Sequence, residues 1–186
     1  MYRKRLQSIV CGLAIGLTLI GCSSSKKAPM ANADLDTMVQ KERFEFNART
    51  ARPMVTNAIS QIAQSGLLAP GNSVGRIDLG GTANFLKIAG DSVSANLAYY
   101  GERQLGGGAY GNNTGIVFEG VPQDMEITKD EKKERYNINF SIKEDMEWYN
   151  VYVQINPNLS GTVDVVSSHR TRIGYTGTVN ALQEEE

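Results

Sequence analysis

The sequence is poor in the residues from which metal sites and disulfides are built. It contains a single histidine, His169, and two cysteines, Cys11 and Cys22. Zinc sites draw three or four ligands from His, Cys and carboxylate side chains, so this composition disfavours zinc. Both cysteines have other predicted fates, described below, and no disulfide is expected within one mature chain. The fold must then be held together by packing alone.

An excess of positive charge is missing as well. The chain carries 19 Lys and Arg residues against 20 Asp and Glu residues, which gives a formal net charge of −1. Proteins that bind nucleic acid use basic patches to displace the counterions of the phosphates. We therefore expect no nucleic-acid partner.

The amino terminus resembles a bacterial lipoprotein signal. Basic residues 3–5 precede an apolar run over residues 9–20, which is shorter than the ~20 residues that a transmembrane helix needs. The run leads into Leu19-Ile20-Gly21-Cys22, a sequence similar to a lipobox. In such signals the thiol of Cys22 takes a diacylglyceryl group, and cleavage just before it frees an amine that is acylated as well. An ordinary signal peptide with an incidental cysteine is the alternative.

Residues 1–21 are accordingly predicted to be a signal peptide, and the membrane is a predicted partner through the lipid on Cys22. Loss of the signal leaves 165 residues with a net charge of −4, enough for one domain with a core. Residues 22–33 are rich in Ser, Lys and Ala and are predicted to be a flexible lipidated tether. We assign residues 34–182 to a single β-rich domain and residues 183–186 to an acidic tail.

Most of the domain alternates between apolar and polar residues, as strands with one buried face do. In residues 135–143, for example, Tyr136, Ile138, Phe140 and Ile142 alternate with polar residues. About eight to ten short strands follow one another at hairpin spacing. The pattern predicts a mainly β fold, an antiparallel meander that forms a curved sheet or an open barrel, with a β-sandwich as the alternative.

Two short helical segments are predicted before the regular strands begin. The first is an amino-terminal helix that starts at Asp34 as its N-cap, and its apolar face is made by Leu35, Met38 and Val39. The second lies within residues 53–72 and is interpreted as a short helix or a helical loop. Its apolar face is made by Val55, Ile59 and Ile62.

Several short motifs in a fixed order give the chain a family resemblance. They are Phe44-Glu45-Phe46-Asn47-Ala48, Asn84-Phe85-Leu86, Gly90-Asp91, Leu97-Ala98-Tyr99, Gly115-Ile116-Val117-Phe118-Glu119-Gly120 and Ile173-Gly174-Tyr175-Thr176-Gly177. Together they resemble the Bacteroidetes lipoprotein family of domain of unknown function 4251 (DUF4251). The match covers about residues 42–181, and residues 53–72 look like an insertion. The resemblance implies a Bacteroidetes source and a β-rich periplasmic domain, and it supplies no activity and no catalytic residue.

The residues that could carry catalysis do not form a convincing set. His169 lies close in sequence to Ser167, Ser168 and Asp164. A serine triad requires its three members to converge from well-separated positions, which residues of one strand and its turn cannot do. We therefore interpret His169 as a polar turn residue and do not expect an enzyme.

Metal and cofactor motifs are similarly weak. Glu119, Asp124 and Glu126 could approach one another across a hairpin, but the chain has no Asp-x-Asp-x-Asp-Gly calcium loop, and a solvated acidic face is the preferred interpretation. Residues 106–111 match G-x-G-x-x-G. A dinucleotide site needs a helix after that motif, whereas a strand follows here, so the segment is interpreted as a loop. No metal and no cofactor are predicted.

Aromatic residues on a polar strand face suggest a contact surface. Trp148 and Tyr152 share the face of Asn150 and Gln154, opposite the apolar face of Tyr149. Exposed aromatics can mark contact sites, and cross-strand aromatic pairing is the alternative. The sequence thus predicts a non-catalytic interaction domain whose partner is an envelope protein or polymer. A small-molecule or lipid carrier with an enclosed apolar pocket is the alternative function; the polar outward positions disfavour it.

Two further expectations come from likeness to Bacteroidetes envelope proteins. Surface lipoproteins of this group carry acidic residues near the lipidated cysteine, whereas here Ser-Ser-Ser-Lys-Lys occupies residues 23–27 and the first acid is Asp34. This implies an outer-membrane lipoprotein that faces the periplasm. Asp91-Ser92-Val93 and Asp36-Thr37-Met38 are similar to acceptor sites for O-glycosylation, on Ser92 and Thr37, although Asp91-Ser92 is also ordinary turn chemistry.

Overall fold

The computed structural model describes residues 32–105 and 114–182. Within them the chain forms two short helices and ten strands. In chain order these are α1 (Ala33–Gln40), β1 (Arg43–Pro53), α2 (Asn57–Gln64), β2 (Ile77–Asp78), β3 (Phe85–Ala89), β4 (Ser92–Leu97), β5 (Ile116–Gly120), β6 (Gln123–Asp130), β7 (Arg135–Glu144), β8 (Glu147–Ile155), β9 (Ser160–Ser167) and β10 (Ile173–Ala181).

The strands form one antiparallel sheet that curls into a half-barrel, which confirms the predicted mainly β fold and excludes the sandwich alternative. The strand order is β5-β4-β3-β1-β10-β9-β8-β7-β6, and β2 pairs with β1 outside this path. Strands β3 to β5 and β6 to β10 are the predicted sequential hairpins. The centre of the sheet departs from a simple meander, because the first long strand, β1, pairs with the last, β10, from Phe44 opposite Ala181 to Pro53 opposite Ile173.

The two edge strands of the sheet, β5 and β6, follow each other in the chain. A corner at Gly120-Val121-Pro122 joins them, and Gly120 adopts a φ of +151°, a conformation that side chains oppose. Just before this corner, Phe118 of β5 packs across the barrel, with its ring centre 6.3 Å from that of Phe140 and 5.6 Å from that of Tyr149. The corner therefore draws the two edges of the sheet toward each other.

Side chains fill the interior of the half-barrel. Alternation in β7 places Ile138, Phe140 and Ile142 inside, each at most 3% exposed, as predicted. The largest side chains that are less than 2% exposed include Tyr175, Phe44, Phe46, Phe118, Leu86, Ile88 and Leu97. Because no disulfide is expected in this chain, burial of such apolar surface supplies the main favourable free energy of folding.

Helix α1 closes one end of the half-barrel. Its residues Leu35, Met38 and Val39 are buried, as predicted. The predicted N-cap was wrong: Asn32 caps the helix, and its Oδ1 accepts from the amide of Asp34 at 3.0 Å. The Nδ2 of Asn32 donates to the carbonyl oxygen of Pro157 at 2.7 Å. This hydrogen bond to the β8–β9 turn favours Asn32 over Asp34 as the N-cap, and the residues that flank Asn32 in the sequence do not indicate it.

Helix α2 confirms a helix within residues 53–72, but its apolar face is only partly used. Ile59 is buried, whereas Val55 and Ile62 are exposed. The helix begins after the cap Thr56 and has eight residues, so Val55 precedes it. The predicted helical face is therefore correct for Ile59 and Ile62, which lie three residues apart in α2, and wrong for Val55.

Candidate functional site

The end of the half-barrel opposite α1 is closed around a buried ion pair. Glu147 begins β8, Arg170 lies in the turn before β10, and they are 8% and 6% exposed. The guanidinium contacts both carboxylate oxygens: Nε lies 2.8 Å from Oε1 and Nη2 lies 3.2 Å from Oε2. Nη1 of Arg170 donates to the carbonyl oxygens of Thr114 and Gly115 at 3.2 and 2.6 Å. One arginine thus joins three segments that are distant in sequence.

Hydrogen bonds keep Glu147 ionised despite its burial. Burial alone would raise the pKa of Glu147, but hydrogen bonds from the Ser167 hydroxyl and from Arg170 outweigh it, and the pKa lies below its ordinary value. On the same strand face, burial raises the pKa of the Tyr149 phenol well above its ordinary value. At neutral pH the cluster therefore contains a fully paired carboxylate beside a neutral phenol, an arrangement suited to fixing structure.

A second set of hydrogen bonds extends this closure to the loop after β4. The hydroxyl of Tyr99 lies 2.8 Å from Oγ1 of Thr171 and 3.0 Å from the carbonyl oxygen of Glu102. The guanidinium carbon of Arg170 lies 5.2 Å from the centre of the Tyr99 ring, within cation–π range. Strand β4 ends at Leu97, and Tyr99 beyond it is half-buried in this polar network.

Sequence reasoning missed the ion pair although one signal was present. Glu147 has the same strand parity as Tyr149 and Val151, whose side chains face the core. A charged residue at an inward position needs a buried partner. No local pattern singles out Arg170 as that partner.

The two aromatics of the predicted contact surface lie on the outer side of the sheet. Trp148 and Tyr152 of β8 are 37% and 49% exposed, and Tyr149 between them is buried in the core, as predicted. Val166 of β9 is also exposed and lies opposite Asn150, between the two aromatics along the strand. We call Trp148, Asn150, Tyr152 and Val166 the aromatic face. The Trp148 amide donates to the Ser168 hydroxyl at 3.0 Å, which connects this face to the closed end.

The neighbours of these aromatics across the strands are polar. Tyr152 lies opposite Asn139 on one side and Asp164 on the other. Trp148 lies opposite Lys143. At these positions neither aromatic has another aromatic directly opposite it, so the alternative explanation of cross-strand aromatic pairing does not apply. The two rings therefore present their surfaces among polar groups.

The structure brings Ser168 into contact with His169 and directs Asp164 to a different partner. Nδ1 of His169 lies 2.7 Å from the Ser168 hydroxyl, within a turn. Asp164 points to the outer face, where its Oδ1 lies 3.0 Å from Nη2 of Arg172. The Asp164 carboxylate is therefore engaged by Arg172 rather than by His169.

The remaining candidate residues lie at scattered places. Glu119 lies on β5, while Asp124 and Glu126 lie on β6. Among residues 32–105 and 114–182, no group of three or more His, Cys, Asp or Glu side chains is placed to hold a metal ion. Cys22, at which lipidation is predicted, lies outside the described residues, as do the 106–111 motif and the predicted acidic tail 183–186.

Both predicted O-glycosylation residues lie at the α1 end. Thr37 is exposed on α1 and its hydroxyl donates to the Ala33 carbonyl oxygen at 2.8 Å. Ser92 is half-buried at the β3–β4 turn, where the Gly90 amide donates to the carbonyl oxygen of Glu42 beyond α1. Glycosylation of either residue stays a prediction.

Two open clefts lie on the surface of the molecule. One has a volume of about 470 Å³ and is lined by residues of β3 to β5, including Phe85, Asn96 and Glu119. The other has a volume of about 600 Å³ and lies beside β1, where Arg49 and Arg76 contribute. Neither cleft is enclosed. Among the described residues, no helix has the length and apolarity that crossing a membrane requires.

Comparison with known proteins gives the family. The family model described as a domain of unknown function, DUF4251, matches residues 26–179. Among solved structures the chain is similar to the crystal structure of a DUF4251 family protein from Bacteroides eggerthii, with 15% identity and a TM-score of 0.55 over 82% of this chain and 88% of that one. No curated protein matches. The resemblance that the motifs indicated is confirmed: this chain belongs to the DUF4251 family.

Proposed function

We propose that this protein is a lipid-anchored component of the cell envelope whose β-domain is a non-catalytic interaction module. The observation that carries this proposal is the aromatic face, which combines Trp148, Tyr152 and Val166 on the outside of a regular sheet. Large apolar side chains on solvated surfaces cost free energy and are typical of contact sites. The partner is an envelope protein or polymer.

The filled interior favours this function over a carrier. A carrier of small molecules or lipids needs an enclosed apolar space. Tyr175, Phe44 and Phe46 instead occupy the inside of the half-barrel with less than 2% exposure, and the two clefts described above are open. An interaction module needs only a rigid outer face, which the packed core supports.

Asn32, where the described chain begins, and Trp148 lie toward different ends of β8. The tether precedes Asn32, which is bonded to Pro157 just after β8. Trp148 is the second residue of β8, and it lies nine positions before Pro157, roughly 30 Å at the rise of a strand. This separation supports a Trp148 that is available to partners in the periplasm while the domain is tethered from its Asn32 end.

Site-specific crosslinking tests the contact surface. A photoreactive amino acid at Tyr152 should give crosslinked products in intact cells, and the same amino acid at exposed Leu67 should give fewer. Equal products at both positions, or none at Tyr152, would contradict the proposal.

Two measurements test the anchor and its location. Cys22→Ser should abolish incorporation of radiolabelled fatty acid, because the thiol is the acceptor. Protease added to intact cells should leave the domain intact and should digest it once the outer membrane is opened. Labelling of the variant would contradict the lipidation site, and digestion in intact cells would contradict the periplasmic location.

A further inference from the structure

The outer side of the sheet carries a continuous row of uncharged polar side chains beside Tyr152. Strand register places six of them side by side across six strands. They are Thr128, Asn137, Gln154, Thr162, Thr176 and Thr50. Each carries a hydroxyl or an amide, and none carries a charge at any ordinary pH. This neutral row is adjacent to the row that contains Tyr152.

The amides around the aromatic face are held by one another. The Ser141 hydroxyl donates to Oδ1 of Asn150 at 2.8 Å. Nε2 of Gln154 donates to Oδ1 of Asn137 at 3.2 Å. Such bonds orient donors and acceptors before a partner arrives, which reduces the entropy that binding costs.

Charges of both signs lie near the aromatic face. Arg135 donates to Oε1 of Gln154 and also pairs with Asp130, and Arg52 lies opposite Gly174, next to Asp164. Asp164 forms an ion pair with Arg172. Lys143 and Glu126 lie at opposite margins, on β7 and β6, and carry opposite charges. A polyanion would require a basic patch, and the face does not offer one. The charge pattern instead complements a polymer that carries no charge.

We propose that the ligand of the aromatic face is a neutral polysaccharide chain. This inference rests on the proposed function and names its partner. Aromatic rings provide flat apolar platforms for the C–H faces of sugar rings, and the surrounding amides and hydroxyls exchange hydrogen bonds with sugar hydroxyls. Trp148 and Tyr152 are four residues apart on one strand, roughly 13 Å, so an extended chain of several sugars can contact both.

Binding of defined glycans tests the ligand class. The detergent-solubilised mature protein is titrated with oligomers of N-acetylglucosamine, with dextran, and with hyaluronate, in which N-acetylglucosamine alternates with a charged sugar. At least one neutral glycan should bind, and hyaluronate should bind more weakly. Trp148→Ala and Tyr152→Ala should each weaken that binding about tenfold. The matched control Tyr100→Ala removes an exposed tyrosine outside the face and should leave the affinity unchanged.

The outcomes separate this inference from the proposed function. No binding of any neutral glycan, or preference for hyaluronate, would overturn the inference. So would binding that Tyr100→Ala weakens as much as Tyr152→Ala does. Crosslinking of a protein at Tyr152 without glycan binding would retain the interaction module and reject the polysaccharide. Absence of both crosslinks and glycan binding would reject both.

Discussion

The two ends of the half-barrel are closed by different chemistry. At one end the apolar face of α1 covers the interior, and an ion pair between Asp36 and Lys129 at 3.0 Å lies above it with side chains 28% and 24% exposed. At the other end the ion pair of Glu147 and Arg170 is itself the closure, with side chains 10% and 5% exposed. Water screens the first pair and hardly reaches the second.

This difference decides which contacts the fold depends on. An exposed ion pair contributes little, because solvent competes with it. A buried pair also gives little net stability as a whole, but removal of one partner leaves a charge without solvation. We therefore expect apolar residues to dominate stability at the α1 end and the charged residues to dominate at the other end.

The largest effect is expected where the buried pair is broken on one side. Arg170→Met should lower the free energy of unfolding by about 3–5 kcal/mol, because Glu147 would stay buried without a partner. The double variant with Glu147→Met as well should recover much of the loss. Chemical denaturation of the lipid-free protein measures both. A double variant less stable than Arg170→Met would contradict this expectation and would show that Glu147 stabilises the fold through its other contacts, such as the Ser167 hydroxyl.

The second-largest loss of stability is expected from removal of an apolar contact at the α1 end. Leu35→Ala should cost about 2–5 kcal/mol, the usual loss for a buried leucine, because Leu35 is 1% exposed against the core. Denaturation under the same conditions tests it, with Gln40→Ala on the exposed side of α1 as the control. A loss below about 0.5 kcal/mol would mean that α1 is not needed to close the barrel.

Acidification should distinguish the ends by the protonation of their carboxylates. The pKa of Glu147 is lowered, so its ionised form adds stability above its ordinary pKa of 4.5, which is lost as the pH falls through the folded value. Hydrogen bonds from Tyr136 and then Lys129 also lower the pKa of Asp36. The stability gap between wild type and Glu147→Gln should narrow below about pH 4.5.

The corresponding gap for Asp36→Asn should narrow below its ordinary pKa of 3.8 and should be smaller throughout, because that site is more exposed. Free energies of unfolding measured across this pH range supply the comparison. A stability difference between wild type and Glu147→Gln that widens on acidification would show that the pKa of Glu147 is raised in the folded protein rather than lowered.

The smallest effect is expected from a single hydroxyl at the α1 end. Tyr136→Phe removes the donor that lies 2.6 Å from Oδ1 of Asp36 and keeps the ring. It should cost about 0.5–1.5 kcal/mol, the range for one hydrogen bond. A thermal or chemical unfolding curve resolves this, with Tyr152→Phe as the exposed control. A loss as large as that of Arg170→Met would abolish the contrast between the two ends.

Sequence periodicity predicted what depends on neighbours within one strand. The alternation of Tyr136, Ile138 and Phe140 with polar residues reports directly which side of β7 is buried. It also predicted that Trp148 and Tyr152 face outward. These features follow from the two-residue period of a strand, which is local.

Features that depend on distant partners were not predictable. Asn32 rather than Asp34 caps α1, and Asn32 also donates to the carbonyl oxygen of Pro157. Arg170 is held in place by the Glu147 carboxylate and by the carbonyl oxygens of residues 114 and 115. The pairing of β1 with β10 likewise has no local signal. Each of these contacts joins residues that are distant in sequence, and residue spacing gives information only about neighbours along the chain.

The central β1–β10 pair has a consequence for the order in which the chain folds. Phe44 and Ala181 are partners although most of the domain separates them in sequence. Contacts of such long range close large loops and slow the search for the native state. Until residues 173–181 are available, β1 lacks the partner along one whole edge, and an incomplete chain would present that edge to other strands. For this architecture, completion of the carboxy-terminal strand is the step that protects the first one from aggregation.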